Sequence, residues 1–152
     1  MKADEFFMSL AVEEARKALV YGDVPVGCVM VSGGEVISCA HNERERLKDP
    51  TAHAEVLAMR RASEKLGRWR LDGTVLYVTL EPCIMCAGAM VQARIDRLVY
   101  GAVDFRYGAA GSIYDLVRDS RLNHWIDVTY GVMEEECGKL LRKFFSSLRK
   151  YD

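Results

Sequence analysis

Apolar residues recur every three to four positions across residues 4–21, at Phe7, Leu10, Ala11, Ala15, Ala18 and Leu19, the period of a helix with one buried face. The pattern then shortens. Residues 26–31 and 36–40 are apolar runs of strand length, and Ser32-Gly33-Gly34-Glu35 between them carries the turn chemistry of a hairpin. Asp49-Pro50-Thr51 stops the extended chain and offers Thr51 as a helix cap, which puts His53 and Glu55 in the first turn of a second helix. Residues 75–80 read as a buried strand that runs into Glu81-Pro82-Cys83, where proline suits the first turn of a third helix. Residues 95–101 and 125–130 supply a fourth and a fifth strand. Residues 134–149 form a last helix with a stripe of Cys137, Leu141, Phe144 and Leu148. A hairpin followed by strand–helix–strand units predicts an α/β fold, a five-stranded mixed and mostly parallel sheet with helices on both faces.

Composition narrows the setting. The chain has 152 residues, half of them apolar and only three of them proline, without an internal repeat, a linker or a low-complexity segment, so residues 1–152 are expected to form one domain. A formal net charge of −1 gives no general support for nucleic-acid binding, so any such footprint has to be a local patch. No apolar run reaches the length of a membrane span, and residues 1–10 are acidic and amphipathic, unlike a signal peptide. The expected location is a reducing cytoplasm with no membrane partner. Five cysteines, an odd number, also argue against a disulfide framework.

The candidate chemistry lies in His53-Ala54-Glu55 and Pro82-Cys83-Ile84-Met85-Cys86. One imidazole and two thiolates make three ligands for a tetrahedral zinc ion, with the fourth position left for water. Cys83 and Cys86, three apart at a helix start, share one side of the first turn, and the positive helix end favours their thiolate form. Zinc brings the pKa of its water from about 15.7 to roughly 7, and Glu55 stands ready to take and return the proton. A CxxC alone serves equally as a redox pair or as half of a structural finger. The first lacks a thioredoxin-like setting here. The second lacks a fourth ligand, because Cys28, Cys39 and Cys137 fall at core positions and read as small buried hydrophobes. His41 and His124 are left outside the metal shell as surface or hydrogen-bonded residues. The spacing H-x-E…P-C-x-x-C is the established signature of zinc-dependent nucleobase deaminases.

From Val24-Pro25-Val26-Gly27 onward the chain resembles the bacterial tRNA-specific adenosine deaminases. The resemblance runs through Asn42, Asp49 to Glu55, Leu76 to Cys83, Met85 to Met90, Tyr100-Gly101-Ala102, Asp104, Gly108-Ala109-Ala110-Gly111-Ser112, Leu122-Asn123-His124, Gly131-Val132 and the last helix to Phe144-Phe145. It implies a three-layer cytidine deaminase-like sandwich that converts the wobble adenosine of a tRNA anticodon to inosine, with one zinc per chain. On that resemblance His53, Cys83 and Cys86 hold the metal and Glu55 moves the protons. Asn42 hydrogen-bonds the flipped adenine, Val26 forms an apolar wall, Asp104 meets a ribose hydroxyl, and the amides near Cys83 and Ala54 help to hold the ring. It further implies a homodimer whose RNA site draws on both subunits, for which Ala87, Gly88 and Ala89 suit close helix packing. The loop from Glu43 to Lys48 and Phe105-Arg106-Tyr107 depart from the family pattern at the expected substrate mouth. The basic residues Arg142, Lys143, Arg149 and Lys150, with Arg68 and Arg70 around Trp69, admit two readings, a phosphate-tracking patch or a solvated face balanced by Glu134, Glu135 and Glu136. Two rivals stand beside the tRNA reading. A free-base or nucleoside deaminase of the same fold would release ammonia from guanine or cytidine, and a non-catalytic zinc-containing RNA-binding protein would have no use for Glu55.

Overall fold

The structure is a computed structural model that describes residues 2–149; Met1, the Arg149 side chain and residues 150–152, including Lys150 of the basic cluster, lie outside the described residues. The elements are α1 (Lys2–Ala18), β1 (Gly27–Ser32), β2 (Glu35–His41), α2 (Arg44–Leu47), α3 (Ala54–Leu66), β3 (Thr74–Leu80), α4 (Ile84–Ala93), β4 (Arg97–Ala102), β5 (Asp127–Tyr130) and α5 (Glu134–Arg149). The strands form one five-stranded sheet in the order β2-β1-β3-β4-β5. β1 runs antiparallel to both its neighbours, while β3, β4 and β5 are parallel. Strands alternate their side chains between faces, and that alternation sorts the helices. Val29, Tyr77 and Val99 are paired across the sheet and share one face, which α1 and α5 cover: Tyr77 Oη donates to Asp4 of α1 and Gly101 abuts Cys137 of α5. Met30 and Ser38 lie on the other face, where the Ser38 hydroxyl donates to the Ala58 carbonyl of α3, at 2.8 Å. α4 packs beside α3 on that side. The result is the expected three-layer sandwich.

Close packing explains one residue choice. A Cβ on Gly27 would run into the Ala11 carbonyl oxygen and the Ala15 nitrogen, so only glycine lets α1 lie flat across the start of β1. The core beneath is continuous from Met8 and Val12 through Met30, Leu76, Met90 and Leu98 to Ile126, all buried.

Several local expectations are corrected. Thr51 does not cap a helix; its hydroxyl and backbone N–H both go to Asp49 Oδ1, and α3 begins at Ala54 with His53 as the extended N-cap residue. Pro82 likewise lies before α4, whose N-cap is Cys83. The short helix α2 carries no period long enough to announce itself. Cys39, expected in the core, is exposed on the edge strand β2. Cys28 and Cys137 are buried as expected, and burial pushes both thiols up, Cys137 to about 12.

The longest-range side-chain tie among the described residues is a part-buried ion pair. Arg97 of β4 grips both carboxylate oxygens of Asp4 at 2.9 and 2.7 Å, and Tyr77 donates to the same carboxylate at 2.8 Å. The Arg97 hydrogen bonds hold the Asp4 carboxyl below its ordinary value, while burial opposes them. A lowered folded pKa stabilises the fold fully above the unfolded carboxyl value of about 3.9, and the contribution fades as pH falls through the lower folded value. Replacing Asp4 by Ala strands Arg97 and should cost about 3 kcal/mol. Urea unfolding from pH 3 to 7 should show wild type losing stability below about pH 4, with Asp4→Ala missing that part of the loss. Parallel pH curves for the two proteins would remove Asp4 from the account.

Candidate metal centre and active site

Three donors of the expected kind meet at the edge where α3 and α4 begin. His53 and Cys83 are the N-cap residues of these helices and Cys86 lies in the first turn of α4. The two sulfurs stand 3.7 Å (Cys83) and 3.6 Å (Cys86) from His53 Nδ1. Tetrahedral zinc with Zn–S near 2.3 Å and Zn–N near 2.05 Å separates S from N by about 3.6 Å, so the donor set fits the ion. Among the described residues no other His, Cys, Asp or Glu joins the group. A structural zinc site closes with four protein ligands, whereas three leave a position for a reacting molecule.

The three donors set one another's protonation. A hydrogen bond from the Cys86 thiol, reinforced by His53, pulls Cys83 down to about 3. The same sulfur–sulfur hydrogen bond, with burial, pushes Cys86 up. His53 is drawn up by the neighbouring Cys83. Zinc binding to such a set releases protons.

Glu55 lies two residues after His53 in the first turn of α3, with 4% of its surface exposed. Burial pushes its carboxyl up to about 7, with His53 pulling the other way. A carboxyl poised near neutrality can both accept and return a proton.

Asn42 is buried at the end of β2, and its Oδ1 accepts the Ala54 N–H at 2.8 Å. That bond occupies the Ala54 amide, which is therefore not free to hold a ring. It also fixes the Asn42 side chain so that its Nδ2, with no partner among the described residues, is left to donate to a ligand. Val26 is buried just before β1 and shares this neighbourhood, since the Asn42 N–H donates to its carbonyl at 3.1 Å.

Asp104 braces its own loop. Its Oδ1 accepts the N–H groups of Arg106 and Tyr107 at 2.9 and 3.1 Å. Its Oδ2 has no partner among the described residues.

Sequence reasoning missed Glu81. This carboxylate is 2% exposed, and it accepts the Asp104 N–H on Oε1 and the Ala110 N–H, Ser112 N–H and Ser112 hydroxyl on Oε2, all at 2.9–3.1 Å. A Cβ on Gly108 would collide with Ser112 Oγ, the Asp104 carbonyl and Glu81 itself, so the glycine is required for this wrapping. The signal was available in the composition of Gly108 to Ser112, a run of small residues with backbone donors and no acidic side chain of its own to receive them. His41 and His124 are satisfied as expected, with His41 Nδ1 3.1 Å from a Glu14 oxygen and His124 Nε2 2.7 Å from the Ile95 carbonyl. Of the basic residues, Arg68 pairs with Asp72, Arg70 lies over the Trp69 ring and Arg142 pairs with Glu135.

The family model described as the cytidine and deoxycytidylate deaminase zinc-binding region matches residues 1–102. The chain belongs to this family. A tRNA-specific adenosine deaminase of Bacillus subtilis (strain 168) is 49% identical over 99% of this chain and 93% of its own length. One from Aquifex aeolicus (strain VF5) is 46% identical, covering 95% of each. A solved structure from studies of A-to-I editing by tRNA:A34 deaminases at the wobble position of transfer RNA aligns with a TM-score of 0.86 at 46% identity, over 90% of this chain and 99% of that one. A guanine deaminase from Nitrosomonas europaea shares the fold at a TM-score of 0.81 and 24% identity, over 93% of this chain and 84% of that one.

Two outcomes follow from this geometry. Metal analysis of the purified chain should give about one zinc per chain, and Cys83→Ala or Cys86→Ala should lose it; full zinc in the double variant would exclude the site. Glu81→Gln puts a donor where four donors converge. It should speed hydrogen exchange at Asp104, Ala110 and Ser112 by roughly tenfold or more, each charge-assisted bond lost being worth about 1.5–3 kcal/mol, while zinc content stays near one. Unchanged exchange at these amides would show that the loop does not depend on Glu81.

Proposed function

We propose that this chain hydrolytically deaminates adenosine to inosine at the wobble position of a tRNA anticodon. The observation that carries the reading is the near full-length likeness to tRNA-specific adenosine deaminases in a chain whose three donors stand at zinc spacing. In this reading residues 1–152 are a single catalytic domain with His53, Cys83 and Cys86 as metal ligands and Glu55 as the proton carrier. The zinc ion supplies a Lewis acid that makes water a nucleophile near neutral pH. Water adds its oxygen at C6 of the adenine, the amino group leaves as ammonia, and inosine remains. Glu55 takes one proton from the attacking water and passes it to the ring nitrogen beside C6, then takes the second from the hydroxyl now on C6 and delivers it to the departing amine. Its burial and raised pKa suit both directions of transfer. Asn42 Nδ2 donates to the flipped base, buried Val26 gives that base an apolar wall, and Asp104 Oδ2 accepts a ribose hydroxyl, the group that distinguishes RNA from DNA. An anticodon loop is already unpaired, which lowers the cost of drawing the base into the pocket.

The proposed working form is a homodimer in the cytoplasm. An apolar groove between α3 and α4, lined by Val56, Met59, Trp69, Ala89 and Ala93, offers a face for the second copy; Trp69 is 65% exposed there. Of the small residues singled out for packing, Ala87 is buried in the core of its own chain and Ala89 lines this groove. Among the described residues no helix is long and apolar enough to cross a membrane.

Incubating the purified protein with total tRNA and sequencing the products should reveal inosine confined to the wobble position. Ammonia release from free guanine or cytidine without inosine in tRNA would replace this reading with the nucleobase or nucleoside one. Glu55→Ala should keep zinc and tRNA affinity while lowering the rate constant by roughly 100-fold or more. A near-normal rate in that variant would remove Glu55 from its assigned role.

A further inference from the structure

The structure exposes Phe105, Arg106 and Tyr107 as a group. Phe105 is 81% exposed and Tyr107 68%, with Arg106 between them also exposed. Single exposed apolar side chains are ordinary. Two rings flanking a guanidinium in three successive residues, on a turn fixed at its base, are a different object.

The turn is held at each of its anchor points. The Arg106 and Tyr107 N–H groups go to Asp104 Oδ1, and the Gly108 N–H goes to the Asp104 carbonyl at 3.0 Å. The Asp104 N–H is received by the buried Glu81. The backbone is thus ordered before any partner arrives, and the rings present flat surfaces at little further entropic cost. Neither ring stacks on another aromatic residue among the described residues. The turn is also tied to the metal centre: the Ala109 N–H donates to the Pro82 carbonyl at 2.8 Å, immediately before Cys83.

We propose that Phe105 and Tyr107 form a preorganised stacking platform for unpaired bases of the RNA loop beside the base being deaminated, with Arg106 meeting the adjoining phosphate. The inference rests on the tRNA reading above and adds to it a recognition site on this loop. Drawing one base out of a single strand leaves its neighbours without a stacking partner. An aromatic ring beside the pocket replaces that partner for any base, since every base has a π-face. The guanidinium supplies the local positive charge that the net charge of −1 does not.

The test uses the full-length zinc-loaded protein and an anticodon stem-loop with 2-aminopurine at each nucleotide flanking the target in turn. Wild type should quench the probe at one or both flanks. Phe105→Ala and Tyr107→Ala should abolish the quench at one flank and raise Kd and KM roughly 5- to 150-fold, with kcat and zinc content nearly unchanged. Phe105→Trp and Tyr107→Phe, which keep a ring, should bind as wild type does. Arg106→Gln should lower the slope of log Kd against log salt by about one, whereas the ring variants should leave the slope alone. Wild type that converts the stem-loop while the ring variants retain its Kd, KM and quenching overturns the platform alone. Wild type that neither binds nor converts the stem-loop overturns both the platform and the tRNA reading. Ring variants that shift the sedimentation coefficient with no change in RNA affinity would assign the rings to contact between copies instead.

Discussion

The imidazole and the two sulfurs can share one centre only because two helices begin at the same edge of the sheet. β3 ends at Leu80 and the chain turns through Glu81 and Pro82 into α4, so Cys83 sits where the strand stops. α3 is brought to that edge from the other direction, by the hydrogen bond from the Ala54 N–H to Asn42 at the end of β2. His53 and Cys83 are both N-caps with extended backbones, at ψ 151° and 177°. The two positive helix ends therefore face the two sulfurs, whose metal-binding form is the thiolate. This lowers the cost of holding thiolates in a largely buried place.

Two buried glutamates on either side of that centre illustrate how surroundings divide labour between identical groups. Glu81 is saturated by donors from the Asp104 to Ser112 loop, and its carboxylate is consumed as structure. Glu55 is buried to the same degree without any such set of donors, so its charged form is poorly compensated and its pKa rises to about 7. A carboxylate with several donors fixes a backbone, and one without them exchanges protons.

The parts that were legible in the sequence are those whose cause is local. Strand β3 and the zinc spacing are short-range and stand as read, and the α5 stripe holds at Cys137 and Leu141, which are buried, but not at Leu148, which is exposed. The cap positions were displaced, because Thr51 prefers the Asp49 carboxylate next to it and leaves His53 to open α3. Cys39 was misplaced because an edge strand lacks a neighbour on one side, a property of sheet order that no window of sequence contains. Glu81 was passed over for a similar reason. Its partners lie 23 to 31 residues ahead, and nothing near it in sequence marks it as an acceptor.

Chemistry and recognition have different mechanical needs, and this fold joins them through three consecutive residues. Moving protons at a metal centre demands donors held to a fraction of an ångström, which helix ends on a sheet provide. Reading a flexible loop demands an adjustable surface, which ordinarily comes from loops. Here the loop proposed for recognition is anchored by the Glu81 side chain and the Pro82 carbonyl, and the next residue, Cys83, is one of the three clustered metal donors. Proline adds stiffness at the middle of this junction through its fixed φ. A displacement of the loop cannot leave the geometry around Cys83 untouched. On the proposed platform, a base held by the loop would be referenced to the metal centre across a single peptide unit, and variation at the loop tip, as at Phe105 and Tyr107, would alter what is read without moving what reacts.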